Sequence, residues 1–142
     1  MGLELLTTNE RRLFWRNGPE SLMIEPWGKD SLRVRATHQR EILELPWALL
    51  QPEPLKPRIE ISETHSTIQN GKIQAEISPE GILSFRKTDS DTVLLAEPPH
   101  PFPDNFHLGP RQFRTVGGDL FHIQSSFQAS IGERFYGLGQ HQ

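Results

Sequence analysis

Apolar and polar residues alternate with period two along most of this chain, and helical spacing is rare. Residues 21–25 put Leu22 and Ile24 on one face. Residues 31–36 do the same for Leu32, Val34 and Ala36, with Pro26-Trp27-Gly28-Lys29-Asp30 between the two runs, which predicts a hairpin-like pair. Residues 58–62 align Ile59 with Ile61, and residues 72–77 align Ile73, Ala75 and Ile77 against Lys72, Gln74 and Glu76. Asn70-Gly71 stands between Thr67-Ile68-Gln69 and the Ile73 run, and that dipeptide suits a tight hairpin turn. Ser78-Pro79-Glu80-Gly81 marks the next reversal. It leads into residues 82–87, a turn at Thr88-Asp89-Ser90-Asp91, and a strand over residues 92–96, so the central third reads as a meander. The cleanest alternation covers residues 119–128. It assigns Phe121, Ile123, Ser125 and Phe127 to a core face and Leu120, His122, Gln124 and Ser126 to the opposite one.

Two segments break the pattern. Residues 41–57 carry Pro46, Pro52, Pro54 and Pro57, which leave room for at most a brief helix over Trp47-Ala48-Leu49-Leu50. Pro98-Pro99-His100-Pro101-Phe102-Pro103 cannot donate consecutive ladder hydrogen bonds and is expected as an extended surface loop. The fold class that follows is all-β.

Composition narrows the function classes. The 142 residues suit one domain or a piece of one, and 35% hydrophobic content leaves a thin core. The absence of cysteine removes disulfides, thiolate metal sites and cysteine nucleophiles. Fifteen Lys+Arg against 18 Asp+Glu, scattered rather than striped, argue against nucleic acid as a partner. Residues 1–8 lack the basic start and continuous apolar run of a signal peptide, and no run is long enough to span a bilayer. The expected address is intracellular, in the cytoplasm, with no membrane partner.

Chemistry is sparse. Asp89 and Asp91 are explained by their turn, and Glu60 and Glu63 by a solvated sheet face. The histidines, His38, His65, His100, His107, His122 and His141, show no i, i+4 metal spacing. No Gly-x-Ser-x-Gly elbow occurs, and Gly132 to Gly139 lacks the Lys-Ser/Thr of a phosphate loop. The reading is therefore no catalytic residue, no metal and no cofactor within this chain.

The C-terminal run Gly132-Glu133-Arg134-Phe135-Tyr136-Gly137-Leu138-Gly139-Gln140-His141-Gln142 resembles a signature in the N-terminal β-sandwich of glycoside hydrolase family 31, which includes α-glucosidases and α-xylosidases. Residues 24–37, Ile24-Glu25-Pro26-Trp27-Gly28-Lys29-Asp30-Ser31-Leu32-Arg33-Val34-Arg35-Ala36-Thr37, are similar to an early hairpin of the same family. The resemblance implies a galactose-mutarotase-like β-sandwich over residues 1–142, incomplete at its C-terminus. It also implies a parent that hydrolyses O-glycosyl bonds with retention, whose catalytic aspartates lie in a later (β/α)8 barrel. Carbohydrate would then be reached through that barrel. Gln140 and His141 begin the loop that approaches substrate and are the candidate sugar contacts, although many relatives carry Glu where Gln140 stands.

Two other readings compete. One is a stand-alone carbohydrate-binding or mutarotase-like module, which needs an acid and a base such as Glu or Asp with His in one cleft. The other is a protein-interaction sandwich anchored by Trp15, Trp27 and Trp47. Residues 134–138 read as a strand close to the chain end, and this predicts an exposed edge and a tendency to associate.

Overall fold

The computed structural model describes residues 4–8 (backbone), 10–45, 48–99, 109–134 and 136–137. Within them lie eleven strands: β1 (Glu4–Thr8), β2 (Arg12–Asn17), β3 (Glu20–Pro26), β4 (Leu32–Thr37), β5 (Arg58–Ile61), β6 (Ser66–Asn70), β7 (Ile73–Ile77), β8 (Leu83–Lys87), β9 (Val93–Ala96), β10 (Arg111–Gly117) and β11 (Leu120–Ser125). All pairings are antiparallel. They form a four-stranded sheet β1-β2-β3-β4, a five-stranded meander β5-β6-β7-β8-β9 and a two-stranded ribbon β10-β11. The protein is all-β. The brief helix expected after Pro46 is not formed by Ala48, Leu49 and Leu50, because the prolines that follow deny the backbone bonds a helical turn would need.

The two larger sheets face each other across the core. The first contributes Leu13, Trp15, Leu22 and Ile24, and the second Ile68, Ala75, Ile77 and Leu83. Register explains the selection, since Leu13 pairs with Ile24 and Trp15 with Leu22, so period-two alternation delivers all four to one face. Leu32, Val34 and Ala36 pack at the margin of this core, as their alternation predicts. Ile59 joins them, whereas its expected companion Ile61 is exposed. Strand β3 is buried on its other side as well, where Met23 and Glu25 lie. The chain after β4 returns over that outer face: the Arg35 guanidinium donates to the Leu43 carbonyl at 2.8 Å, and Arg12 pairs with Glu44 at 2.5 Å.

Loop contacts lock the sheets together. The β6–β7 turn residues are Gly71 and Lys72, one step later than Asn70-Gly71 suggests, because Asn70 pairs with Ile73 inside the ladder. Its amide is occupied there, donating to the carbonyls of Gly28 at 2.8 Å and Ser31 at 2.7 Å in the β3–β4 connection. The Asp30 carboxylate answers by accepting the Lys72 N–H at 2.8 Å. A Cβ at position 71 would fall 2.0 Å from that carboxylate, and φ there is +59°. Glycine is required by both contact and conformation.

The ribbon departs from expectation. Phe121 and Ile123 do lie on one side of β11, but that side is not core: Ile123 is 59% and Phe127 47% exposed. Phe127 also lies beyond the strand, which ends at Ser125. Alternation sets the two faces of the strand, but burial depends on a covering layer that β10 and β11 do not receive among the described residues. Ile123 and Phe127 instead line an open apolar cleft of about 600 Å3 with Leu32, Val34, Phe85 and Leu95. The strand expected over residues 134–138 is likewise absent among described residues 131–134 and 136–137, and Tyr136 is exposed.

Candidate functional site

One guanidinium joins the three sheets. Arg111, the first residue of β10, donates through Nε to Glu20 Oε1 at 2.6 Å and through Nη1 to Glu97 Oε1 and Oε2 at 2.6 and 2.5 Å. Its Nη2 donates to the Gly81 carbonyl at 2.6 Å. Glu20 opens β3 in the first sheet, and Glu97 follows β9 in the second. Gly81 belongs to the β7–β8 reversal. The plane of Arg111 also lies over Trp15, 5.8 Å from the ring centroid, and the Trp15 indole N–H is satisfied by the Pro79 carbonyl at 3.2 Å. Arginine suits this place because its planar fork serves two carboxylates and a backbone carbonyl at once, which lysine does not.

Charge does not cancel in this cluster, since two carboxylates meet one guanidinium. The Glu97 side chain is 2% exposed. Burial pushes its carboxyl above the ordinary range. The Arg111 charge and hydrogen bonds and the Leu83 N–H, at 2.8 Å, offset this in part, and the like charge of Glu20 adds to the rise. Two carboxylates around one site are the composition a glycosidase needs. Here both are committed to Arg111, and Glu97 is out of reach of any substrate, so the pair acts as a structural clasp.

Beside the clasp opens a cavity of about 520 Å3. Asn17, Glu20, His38, Gln112, Phe113 and Arg114 are among the residues that line it. His38 stacks on Phe113 with ring centroids 4.1 Å apart, and both rings meet Phe121 edge-on at 6.2 and 6.4 Å. That aromatic trio fastens the ribbon to the end of β4.

A second ionic cluster covers the outer face of the first sheet. Glu25 is buried and meets Arg35 at 2.7 Å, Arg12 at 3.0 Å and Arg33 at 3.9 Å, while Arg33 rides over Trp27 at 4.4 Å. Burial opposes ionisation of Glu44, but hydrogen bonding and charge from Arg12, with charge from Arg35, outweigh it and hold that carboxyl below the ordinary range. This cluster straps residues 43 and 44 to the sheet, and its carboxylates are committed to arginines.

Gln140 and His141 lie outside the described residues, as do His100 and His107. Asp89 and Asp91 occupy the β8–β9 turn, and Asp91 pairs with Arg86 at 3.3 Å. Glu60 is exposed and paired with Arg58 at 2.6 Å. His122 is exposed on β11. Among the described residues no group of His, Asp and Glu is arranged to hold a metal ion, and no helix is long and apolar enough to cross a membrane. Trp15 belongs to the core at 3% exposure, Trp27 is half-buried, and Trp47 lies outside the described residues. Sequence reasoning missed Arg111, Glu97 and Glu20. Their separations of 14 and 91 residues leave no periodic signal.

The whole arrangement matches a solved structure, a GH31 α-xylosidase from a soil metagenome complexed with xylose. The match has a TM-score of 0.84 at 33% identity and covers 98% of this chain and 22% of that one. Its homologues are family 31 glycosidases. A curated relative, described as an uncharacterized family 31 glucosidase, ORF2, of Pseudescherichia vulneris, is 31% identical over 142 positions, covering 90% of this chain and 27% of the relative. The chain thus spans about a quarter of the length of the family 31 proteins it matches. No family model matches it.

Proposed function

We infer that residues 1–142 are a non-catalytic N-terminal β-sandwich segment of a retaining α-glycosidase that hydrolyses O-glycosyl bonds of α-glucosides or α-xylosides. The observation that carries this reading is the near-complete structural match to less than a quarter of an α-xylosidase. The clasp supports it from within, because the carboxylates that come together here are locked on Arg111. The segment's role is to buttress a catalytic barrel, with Gln140 and His141 approaching the bound sugar. The apolar cleft between the sheets and the ribbon is the surface on which further parts of the parent pack. The stand-alone mutarotase-like alternative is not favoured: His38 and Glu20 line one cavity, but Glu20 Oε1 is committed to the Arg111 guanidinium.

The test is hydrolysis of 4-nitrophenyl α-D-xylopyranoside and α-D-glucopyranoside by two proteins, residues 1–142 and the full open reading frame that contains them. Turnover by the longer protein and none by the shorter is expected. Turnover by the 142-residue chain, abolished in Glu20→Gln or Glu97→Gln, would sink the reading, and so would an inactive longer protein that is folded.

A further inference from the structure

We propose that the cavity beside the clasp is a binding site for a neutral pyranoside. The choice of a sugar rests on the α-glycosidase reading, but the site and its chemistry come from the lining. At about 520 Å3 the cavity falls within the roughly 300–1,000 Å3 typical of small-molecule sites. Its walls include the β2–β3 turn, the end of β4, the β7–β8 reversal and the start of β10, which are tied to one another through Arg111 and the His38–Phe113 stack. Such a cavity is pre-organised and does not have to form on binding.

The lining is matched to hydroxyl groups. Asn17 and Gln112 carry amides that both donate and accept, and His38 carries an imidazole that does the same. None of these three side chains has a hydrogen-bond partner among the described residues. Glu20 uses Oε1 on Arg111, and its Oε2 is left to accept from a ligand. The Glu20 side chain keeps 16% of its surface exposed and lines the cavity. Phe113 supplies an apolar wall against which the C–H face of a sugar ring can lie. An anion is disfavoured by the carboxylates of Glu20 and Glu80, and Arg111 already makes four hydrogen bonds to Glu97, Glu20 and Gly81. A cation would meet the Arg114 guanidinium in the same wall. Mixed donors and acceptors beside one aromatic surface suit a neutral polyol ring better than either ion.

The site is tested by two-dimensional 15N NMR titration of the 142-residue chain with methyl α-D-xylopyranoside and methyl α-D-glucopyranoside. Glycerol and inorganic phosphate serve as controls. Saturable shifts of the Asn17 and Gln112 side-chain amides are expected with a dissociation constant in the millimolar range, weakened at least about fivefold in His38→Ala and Gln112→Ala. Gln112→Ala decides the matter alone if His38→Ala disturbs the ribbon. Absent or unsaturable shifts, equal affinity in the Gln112→Ala variant, an equal response to glycerol, or tighter binding of phosphate would each overturn the proposal. Its failure is distinct from that of the family reading: a parent enzyme that hydrolyses aryl α-glycosides while this cavity stays silent leaves the family reading standing, and an inactive parent removes it whatever the titration gives.

Discussion

Replacing Arg111 by methionine keeps an unbranched apolar stem and removes the charge and the hydrogen bonds to all four acceptor atoms, the two Glu97 oxygens, Glu20 Oε1 and the Gly81 carbonyl. Glu97 is then left almost fully buried with the Leu83 N–H as its hydrogen bond. Removing one partner of a buried ion pair costs about 3–5 kcal/mol, and Glu20, partly reached by water, adds little to this. With a urea slope of about 1–3 kcal/mol/M for a protein of this size, the midpoint should fall by on the order of 2 M. The pH dependence identifies the cause. Burial already raises the Glu97 carboxyl in the parent chain, so the folded state binds its proton more tightly than the unfolded state does. The stability linked to this group is therefore full below the ordinary carboxylate range and lost as pH rises through the raised value. Without Arg111 the carboxyl rises further, so the deficit of Arg111→Met should be larger at neutral pH than near pH 5. Adding Glu97→Gln should restore part of the loss, with a coupling of about 1–3 kcal/mol. Urea unfolding followed by tryptophan fluorescence, which reports on Trp15 under the guanidinium, measures all three. A loss below about 1 kcal/mol at neutral pH, an equal deficit at both pH values, or strict additivity in the double variant would refute the clasp.

Three further outcomes are expected. Gly81→Ala places a Cβ 2.3 Å from the Trp15 ring at a φ of +86°, and strain plus overpacking should lower stability by about 2–4 kcal/mol in the same urea assay; a loss under about 1 kcal/mol would show that Trp15 can move aside. Ser66→Ala removes a buried hydroxyl with no hydrogen-bond partner among the described residues and should leave stability unchanged or raise it by up to about 1 kcal/mol, whereas a clear loss in thermal unfolding would reveal a partner. Trp15→Ala should cost about 3–5 kcal/mol and Phe127→Ala under about 1.5 kcal/mol, because the first ring is core and the second lies open in the cleft; equal costs would contradict the observed burial.

Much of the fold was legible because period two and turn residues act locally. Leu22 and Ile24, or Ala75 and Ile77, announce an inward face by spacing alone, and Ser78 to Gly81 announces a reversal whatever surrounds it. The likeness to family 31 was legible for a similar reason, since it rests on two contiguous runs, although the sugar-contact candidates at its end, Gln140 and His141, lie outside the described residues. Alternation names the two faces of a strand but not what covers them. Ile123 and Phe127 carry the same signal as Ile77, yet they are exposed because no third layer lies on the ribbon among the described residues. Asn70 reads as a turn residue, but cross-sheet acceptors at Gly28 and Ser31 hold it inside the ladder and move the turn by one position. Glu20, Glu97 and Arg111 look like unrelated surface charges in the sequence. Only the packing of three sheets brings them within hydrogen-bond distance and makes them the clasp and one wall of the cavity, because long-range electrostatic contacts are set by topology and leave no mark in local spacing.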